Sequence, residues 1–294
     1  MFRFRAGCVC AIGAALVLES PVSVQEAHRN EVDAALQRIG AFVERFYARA
    51  QSVVSEVRVR VRPMTRDLTP VGPGRRLLYE MRVEWEGGTG DSAPEPIVIR
   101  DLLEANGRPP KPGDDLECTD PKLMSPEPLA LFLPQRQSDY SFSWAGRDRE
   151  AGREAIRLDY QVRGDDPPTV QWDDSCVSVE LPGMTRGRVW ADLESGAVLR
   201  LDEHLTGMFE FPVPRDQMRP GGPSSMIIER ADFSIRYDAV EFSEPDETMM
   251  LPRTIEMMTV WRNAGVQRLF ITQNISNYRR FVTGSRLIRN PNFR

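Results

Sequence analysis

The chain has 294 residues, 41% of them hydrophobic and 28% charged, which is enough apolar material for a full core and too much for a disordered chain. Its 38 basic and 43 acidic side chains leave a formal charge of -5, so the overall balance lacks the footprint of a nucleic-acid groove. One large domain or two small ones fit this length.

The first 25 residues read as an export signal. Arg3 and Arg5 form the positive start, Ala6 to Leu18 is a thirteen-residue apolar run, and Glu19-Ser20-Pro21 ends it. That run is too short to span a bilayer, so no integral membrane span is expected once the signal is removed. Its removal leaves 36 basic and 42 acidic groups and only two cysteines, Cys118 and Cys176. In an oxidising compartment this even pair is expected to form a disulfide, worth about 4 kcal/mol in the chain-entropy view. Neither cysteine belongs to a CxxC pair, which disfavours redox or zinc chemistry.

After the signal, Val32, Leu36, Ile39, Val43 and Phe46 recur at spacings of three and four, which predicts an amphipathic helix over 30–50. Asn30 with Asp33 resembles its capping pair. The period then becomes two. Val57, Val59 and Val61 alternate with Arg58, Arg60 and Arg62, and Leu77, Tyr79, Met81, Val83 and Trp85 alternate with charged residues. The stretch 107–121 reads as a loop. Ser125-Pro126-Glu127-Pro128 followed by Leu129 to Leu133 and Pro134 reads as a short helix, apolar all round and therefore enclosed.

Further strands are expected at 140–144, 156–162, 177–181, 188–192, 198–205, 231–242, 254–262 and 266–281. Gly146 to Gly152 joins the first two as a hairpin, and Leu193-Glu194-Ser195-Gly196 joins 188–192 to 198–205. Alternation of this kind implies antiparallel pairing with one apolar face. In 254–262, Ile255, Met257 and Trp261 face one way and Met258 and Val260 the other, so the helix or a loop is expected to cover the outer side.

This order of elements, together with the hairpin Gly187 to Arg200 and the Leu251-Pro252 entry to the penultimate strand, resembles the LolA/LolB-like fold of lipoprotein-localisation proteins. Leu199 to Phe211 and Asn277 to Phe281 also look like a group of secreted bacterial proteins. The resemblance implies an α+β domain over 26–294: a long curved antiparallel sheet, an incomplete barrel, wrapped around the amphipathic helix and the short apolar one. It also implies a periplasmic or secreted location and an apolar ligand, an acyl chain or lipid.

Polar chemistry is sparse. With only His28 and His204, no multi-histidine zinc site can be assembled, and no Gly-x-Ser-x-Gly accompanies His204. The doublets Asp114-Asp115, Asp165-Asp166 and Asp173-Asp174 lack the spacing of a calcium loop. The chain is therefore read as a non-enzyme without metal or cofactor. Its apolar side is more informative. Tyr79, Met81, Trp85, Phe142, Trp144, Met257 and Trp261 place wide or flexible side chains on one concave surface, suited to a pocket for varied apolar shapes. A plain core filled by the two helices is the competing reading. The connection 206–225 lacks a regular period, and its Met208, Phe209, Phe211 and Met218 suggest a lid or docking loop at the cavity mouth. An envelope protein that binds a partner protein through an edge strand or this loop is the alternative to a lipid binder, and a carboxylate-dependent hydrolase is a third reading.

Overall fold

The computed structural model describes residues 21–49, 53–86, 95–115, 127–164, 167–173, 176–218, 220–243, 246–265 and 267–280. Helix α1 (Pro21–Arg49) is followed by β1 (Val53–Pro63), β2 (Arg75–Glu86) and β3 (Glu95–Ala105), then by a short 3-10 helix, Glu127–Phe132. Strands β4 (Tyr140–Glu150), β5 (Arg153–Val162), β6 (Thr169–Asp173), β7 (Cys176–Glu180), β8 (Thr185–Asp192) and β9 (Val198–Leu205) come next. The remainder is β10 (Phe209–Pro212), β11 (Ser225–Ser243), β12 (Asp246–Arg262) and β13 (Arg268–Arg280).

Eleven strands form one antiparallel sheet in the order β3-β2-β1-β13-β12-β11-β9-β8-β5-β4, with β10 paired to β11 beside β9. The sheet does not close: β3 and β4 are its edges, so it is an incomplete barrel in an α+β domain with one long helix. The expected strand at 177–181 lies outside this sheet, in the separate hairpin β6-β7. The hairpin β4-β5 turns at Ala151-Gly152, the last two residues of the expected 146–152 connection, the rest of which is strand. Both turn residues have positive φ, 49° and 77°, as a tight two-residue hairpin turn requires, whereas Gly146 marks a register shift within β4.

The helix starts at Pro21, earlier than expected, so Asn30 sits inside it rather than capping it. The apolar period begins at Val32 because Glu26, His28, Arg29 and Asn30 are exposed. Val32, Ala35, Ile39, Val43, Phe46 and Tyr47 are the buried stripe, and Leu36 is half-buried. They press on the concave face of the sheet, leaving Met258 and Val260 on the outer side of β12 without α1 as cover. Two contacts fix the helix. Gln137 Nε2 donates to the carbonyls of Leu36 (3.1 Å) and Phe132 (2.8 Å), tying α1 to the 3-10 helix. Gly196 in the β8-β9 turn permits close approach, because a Cβ there would lie 2.5 Å from the Arg38 carbonyl carbon.

Strand β3 carries no clear alternation in Ile97-Val98-Ile99-Arg100-Asp101-Leu102-Leu103, and its pairing skips Leu103 at a bulge. It is apolar towards the core through Val98 and Leu102 and also outwards, which is why a period-two reading passes over it.

Candidate functional site

Register and alternation place one row of side chains across the concave face: Trp144, Leu158, Val189, Leu201, Ile235, Ile255, Gln273, Val59 and Leu77. From Leu158 to Leu77 every member is at most 3% exposed, so this row lies sealed beneath α1. Two residues along each strand runs a second row: Phe142, Tyr160, Gly187, Glu203, Phe233, Met257, Ile271 and Val61. Here Glu203, Phe233, Met257 and Ile271 are only partly buried, and the three apolar ones pack against the core from its margin. Neither helix seals this part of the face.

The walls of this open strip differ. On the β4 side, Phe132 from the 3-10 helix packs against Phe142 (ring centroids 6.0 Å) and Tyr160 (5.9 Å), with Tyr140 6.3 Å from Tyr160. On β2 the strip runs out at Arg75, level with Val61; Tyr79 lies beyond the sealed row, level with Val57, where its hydroxyl donates to Asp115 (2.7 Å) and the Arg100 guanidinium lies over its ring at 5.2 Å. Asp115 is thus more than turn chemistry. At the far end, Phe211 meets Trp261 edge-on (6.1 Å), stacks with Phe209 (5.7 Å) and touches Trp172 of the β6-β7 hairpin (6.3 Å).

The residues read from the sequence as cavity lining are spread over these parts rather than gathered in one pocket. Tyr79 and Met81 are buried on the β2 side. Phe142 belongs to the opposite wall, and Trp144 stacks on His28 at 5.6 Å, lining a depression of 260 Å³ with Asn30, Ala34 and Arg38 of α1. Met257 lies on the open strip and Trp261 at its far end. Trp85 is opposite Pro96 in the β2-β3 ladder, and its side chain lies outside the described residues. The connection expected to be an irregular lid instead contains β10. Phe209 and Phe211 alternate there, and Phe211 is buried at 3% exposure, whereas Met208 is 65% exposed and Met218 36%. The period of two covers only the four residues Phe209–Pro212, too short to register against the surrounding Pro and Gly.

Three functional candidates were not singled out from the sequence: Tyr160, Gly187 and Glu203. Gly187 lies between Tyr160 on β5 and Glu203 on β9. A Cβ on Gly187 would sit 2.0 Å from Tyr160 Cζ and 2.3 Å from its hydroxyl oxygen, so the phenol lies across the glycine with its hydroxyl end over β8. That hydroxyl is buried and has no hydrogen-bond partner among the described residues. Burial pushes the Glu203 carboxyl above its ordinary range, against the opposing hydrogen bond from Thr185. Burial, and then the neighbouring Glu203, raise the Tyr160 phenol well above its usual value. A carboxylate facing an apolar concave surface is visible in the alternation of Leu201, Glu203 and Leu205, a signal that His204 obscures by drawing attention to the other face.

The outer face carries a depression of 520 Å³ lined by Asp159, Arg186, Arg188, Trp190, Asp202 and His204, among others. Its charges are largely paired with each other. Arg188 grips Asp159 with two bonds (2.5 and 3.0 Å), and Asp202 accepts from Arg200 (2.6 Å) and Ser234 (2.7 Å). In the Arg row of β1, Arg58 meets Glu56 at 3.4 Å, and Arg62 lies over the Phe270 ring at 4.9 Å. Among the described residues no group of three or more His, Cys, Asp or Glu is placed to hold a metal ion, and no helix is long and apolar enough to cross a membrane. Cys176 opens β7 and is disulfide-bonded, and Cys118 lies outside the described residues.

No protein-family model matches the chain, and no curated protein does. Among solved structures it is similar to a DUF1329 family protein from Desulfovibrio piger ATCC 29098, at 10% identity and a TM-score of 0.41, over 87% of this chain and 95% of that one. It is also similar to a putative outer membrane lipoprotein-sorting protein domain from Vibrio parahaemolyticus (10% identity, TM-score 0.39, 84% and 94% covered). A LolA superfamily protein from Nitrosomonas europaea matches at 10% identity and a TM-score of 0.34, with 83% and 93% covered.

Proposed function

We propose that this chain is an exported, periplasmic protein that takes up an apolar ligand, an acyl chain or lipid, on the open strip of its concave face. It acts as a carrier or sensor without catalytic chemistry. The observation that supports this reading is the contrast between adjacent rows: Leu201, Ile235 and Ile255 are sealed, whereas Phe233, Met257 and Ile271 are only partly buried at the margin of the core. A plain core covers both. Covering the open strip with an aliphatic chain removes apolar surface from water at about 25 cal/mol per Å², a gain that needs no directed polar contact. Met257 adapts its shape to chains of different geometry. Export also provides the oxidising surroundings in which Cys118 is the expected partner of Cys176.

Mass spectrometry of lipids extracted from a native preparation tests this. Stoichiometric acyl chains in the wild type, diminished in a Phe233→Ser/Met257→Ser variant, are expected, and a lipid-free protein from a lipid-rich host overturns the reading.

One observation favours a second reading, a protein-interaction module. Edge strand β3 turns Ile97, Ile99 and Leu103 outwards at 36, 40 and 43% exposure, beside a backbone edge that pairs with no other strand among the described residues, the kind that accepts an added strand. Ile99→Lys separates the two readings, because it should abolish partner capture while leaving lipid recovery intact.

A further inference from the structure

We infer that Tyr160 and Glu203 form the head-group subsite of the open strip, and that the head they select is a cationic amine carried on an aliphatic chain. The inference rests on the apolar-ligand reading above and assigns it a specificity.

Glu203 stands on a face that is otherwise apolar along its row, between Gly187 and Phe233. Its carboxyl is bonded to Thr185 and weakly attracted by the adjacent His204, but no salt bridge reaches it among the described residues, although most other carboxylates on this sheet that are bonded at all meet an arginine. Placing a carboxylate on such a surface is costly unless a counter-charge arrives. The second, independent observation is the Tyr160 hydroxyl. Its residue is 4% exposed, and the group has no partner, yet the missing side chain of Gly187 allows it to reach over β8 towards β9. A group with both an acceptor to satisfy and charge to neutralise fits between them. An ammonium donates to the Glu203 carboxylate and to the Tyr160 oxygen together, and the aromatic wall of Tyr140 and Phe142 offers further attraction to a cation. Neutral alcohols supply no counter-charge, and a fatty acid brings a second negative one. From that point Phe233, Met257 and Ile271 continue the row as a path for the chain.

The test uses three ligands of one chain length, dodecylamine, dodecanol and dodecanoate, each displacing the neutral fluorophore N-phenyl-1-naphthylamine from the full chain at neutral pH. Dodecylamine should bind on the order of ten-fold more tightly than dodecanol, equivalent to about 1.4 kcal/mol, with dodecanoate weakest. Glu203→Gln should erase the amine preference while leaving dodecanol unchanged, and Tyr160→Phe should reduce it. Glu241→Gln, an exposed carboxylate on the same sheet, should keep it, separating the subsite from the general attraction of a cation to an acidic chain. Equal binding of the three by the wild type, or an amine preference that survives both Glu203→Gln and Tyr160→Phe, overturns the head-group assignment and leaves the apolar-ligand reading standing. Failure of all three to displace the fluorophore overturns both.

Discussion

Along β5, β8, β9, β11 and β12, Leu158, Val189, Leu201, Ile235 and Ile255 are each 0% exposed under α1. Two residues farther along the same strands stand Tyr160, Gly187, Glu203, Phe233 and Met257, three of them only partly buried. Both rows obey the same alternation, share the same strands and lie within one strand repeat of each other. What separates them is the degree of cover: the first row lies wholly within the core cluster that includes the α1 stripe, whereas Phe233 and Met257 of the second only pack against it. An apolar face of a sheet is therefore a necessary mark of core but not a sufficient one, and the less covered row is where a ligand gains most from burial.

The contrast breaks most clearly on truncation. Ile235→Ala should destabilise the protein by about 3 kcal/mol in urea denaturation, because it opens a cavity in a sealed layer. Phe233→Ala, although it removes a larger side chain, should cost less than half as much; equal losses would mean that both rows are core. Next in size is Gly187→Ala, which forces a methyl into the Tyr160 ring and should cost roughly 2 kcal/mol. Combined with Tyr160→Ala, most of that loss should disappear, a non-additivity that only contact between the two residues explains.

A smaller effect concerns pH. The Glu203 carboxyl is raised above its ordinary value by burial, so the stability it contributes is full below about pH 4.5 and is lost as the pH rises through its folded-state value. Glu203→Gln cannot ionise, and its melting temperature should pull ahead of the wild type as the pH is brought from 4 towards 8; a constant difference between the two over that range would contradict the burial of this group. The smallest effect belongs to the outer face. Arg188→Ala breaks a two-bond pair with Asp159, but with side chains 41 and 44% exposed the loss should not exceed about 1 kcal/mol and should shrink further in salt.

Most of the architecture was legible from period alone. The switch from spacings of three and four at Val32 to Phe46 to spacings of two from Val57 onwards marks one helix followed by an antiparallel sheet, and the strands around Leu77, Ile156, Val189, Val198 and Ile255 are where alternation places them. Strand β3 was not legible, since it is apolar on both sides and bulged, nor was β10, which is four residues long among prolines. Of the candidate site, the concave face was legible because Tyr79, Met81, Phe142 and Met257 repeat on alternate positions. The subsite at Tyr160, Gly187 and Glu203 was not, for these residues are 43 positions apart and become neighbours only through the β5-β8-β9 register.

The sequence by itself determined which side chains each strand turns to one face, because alternation is a property of the extended backbone and needs no partner. Only the tertiary structure decided which part of that face becomes core and which stays open. That choice depends on where α1 and the 3-10 helix come to rest, through Gln137, Gly196 and the apolar stripe from Val32 to Tyr47, contacts between elements far apart in the chain that no local period encodes.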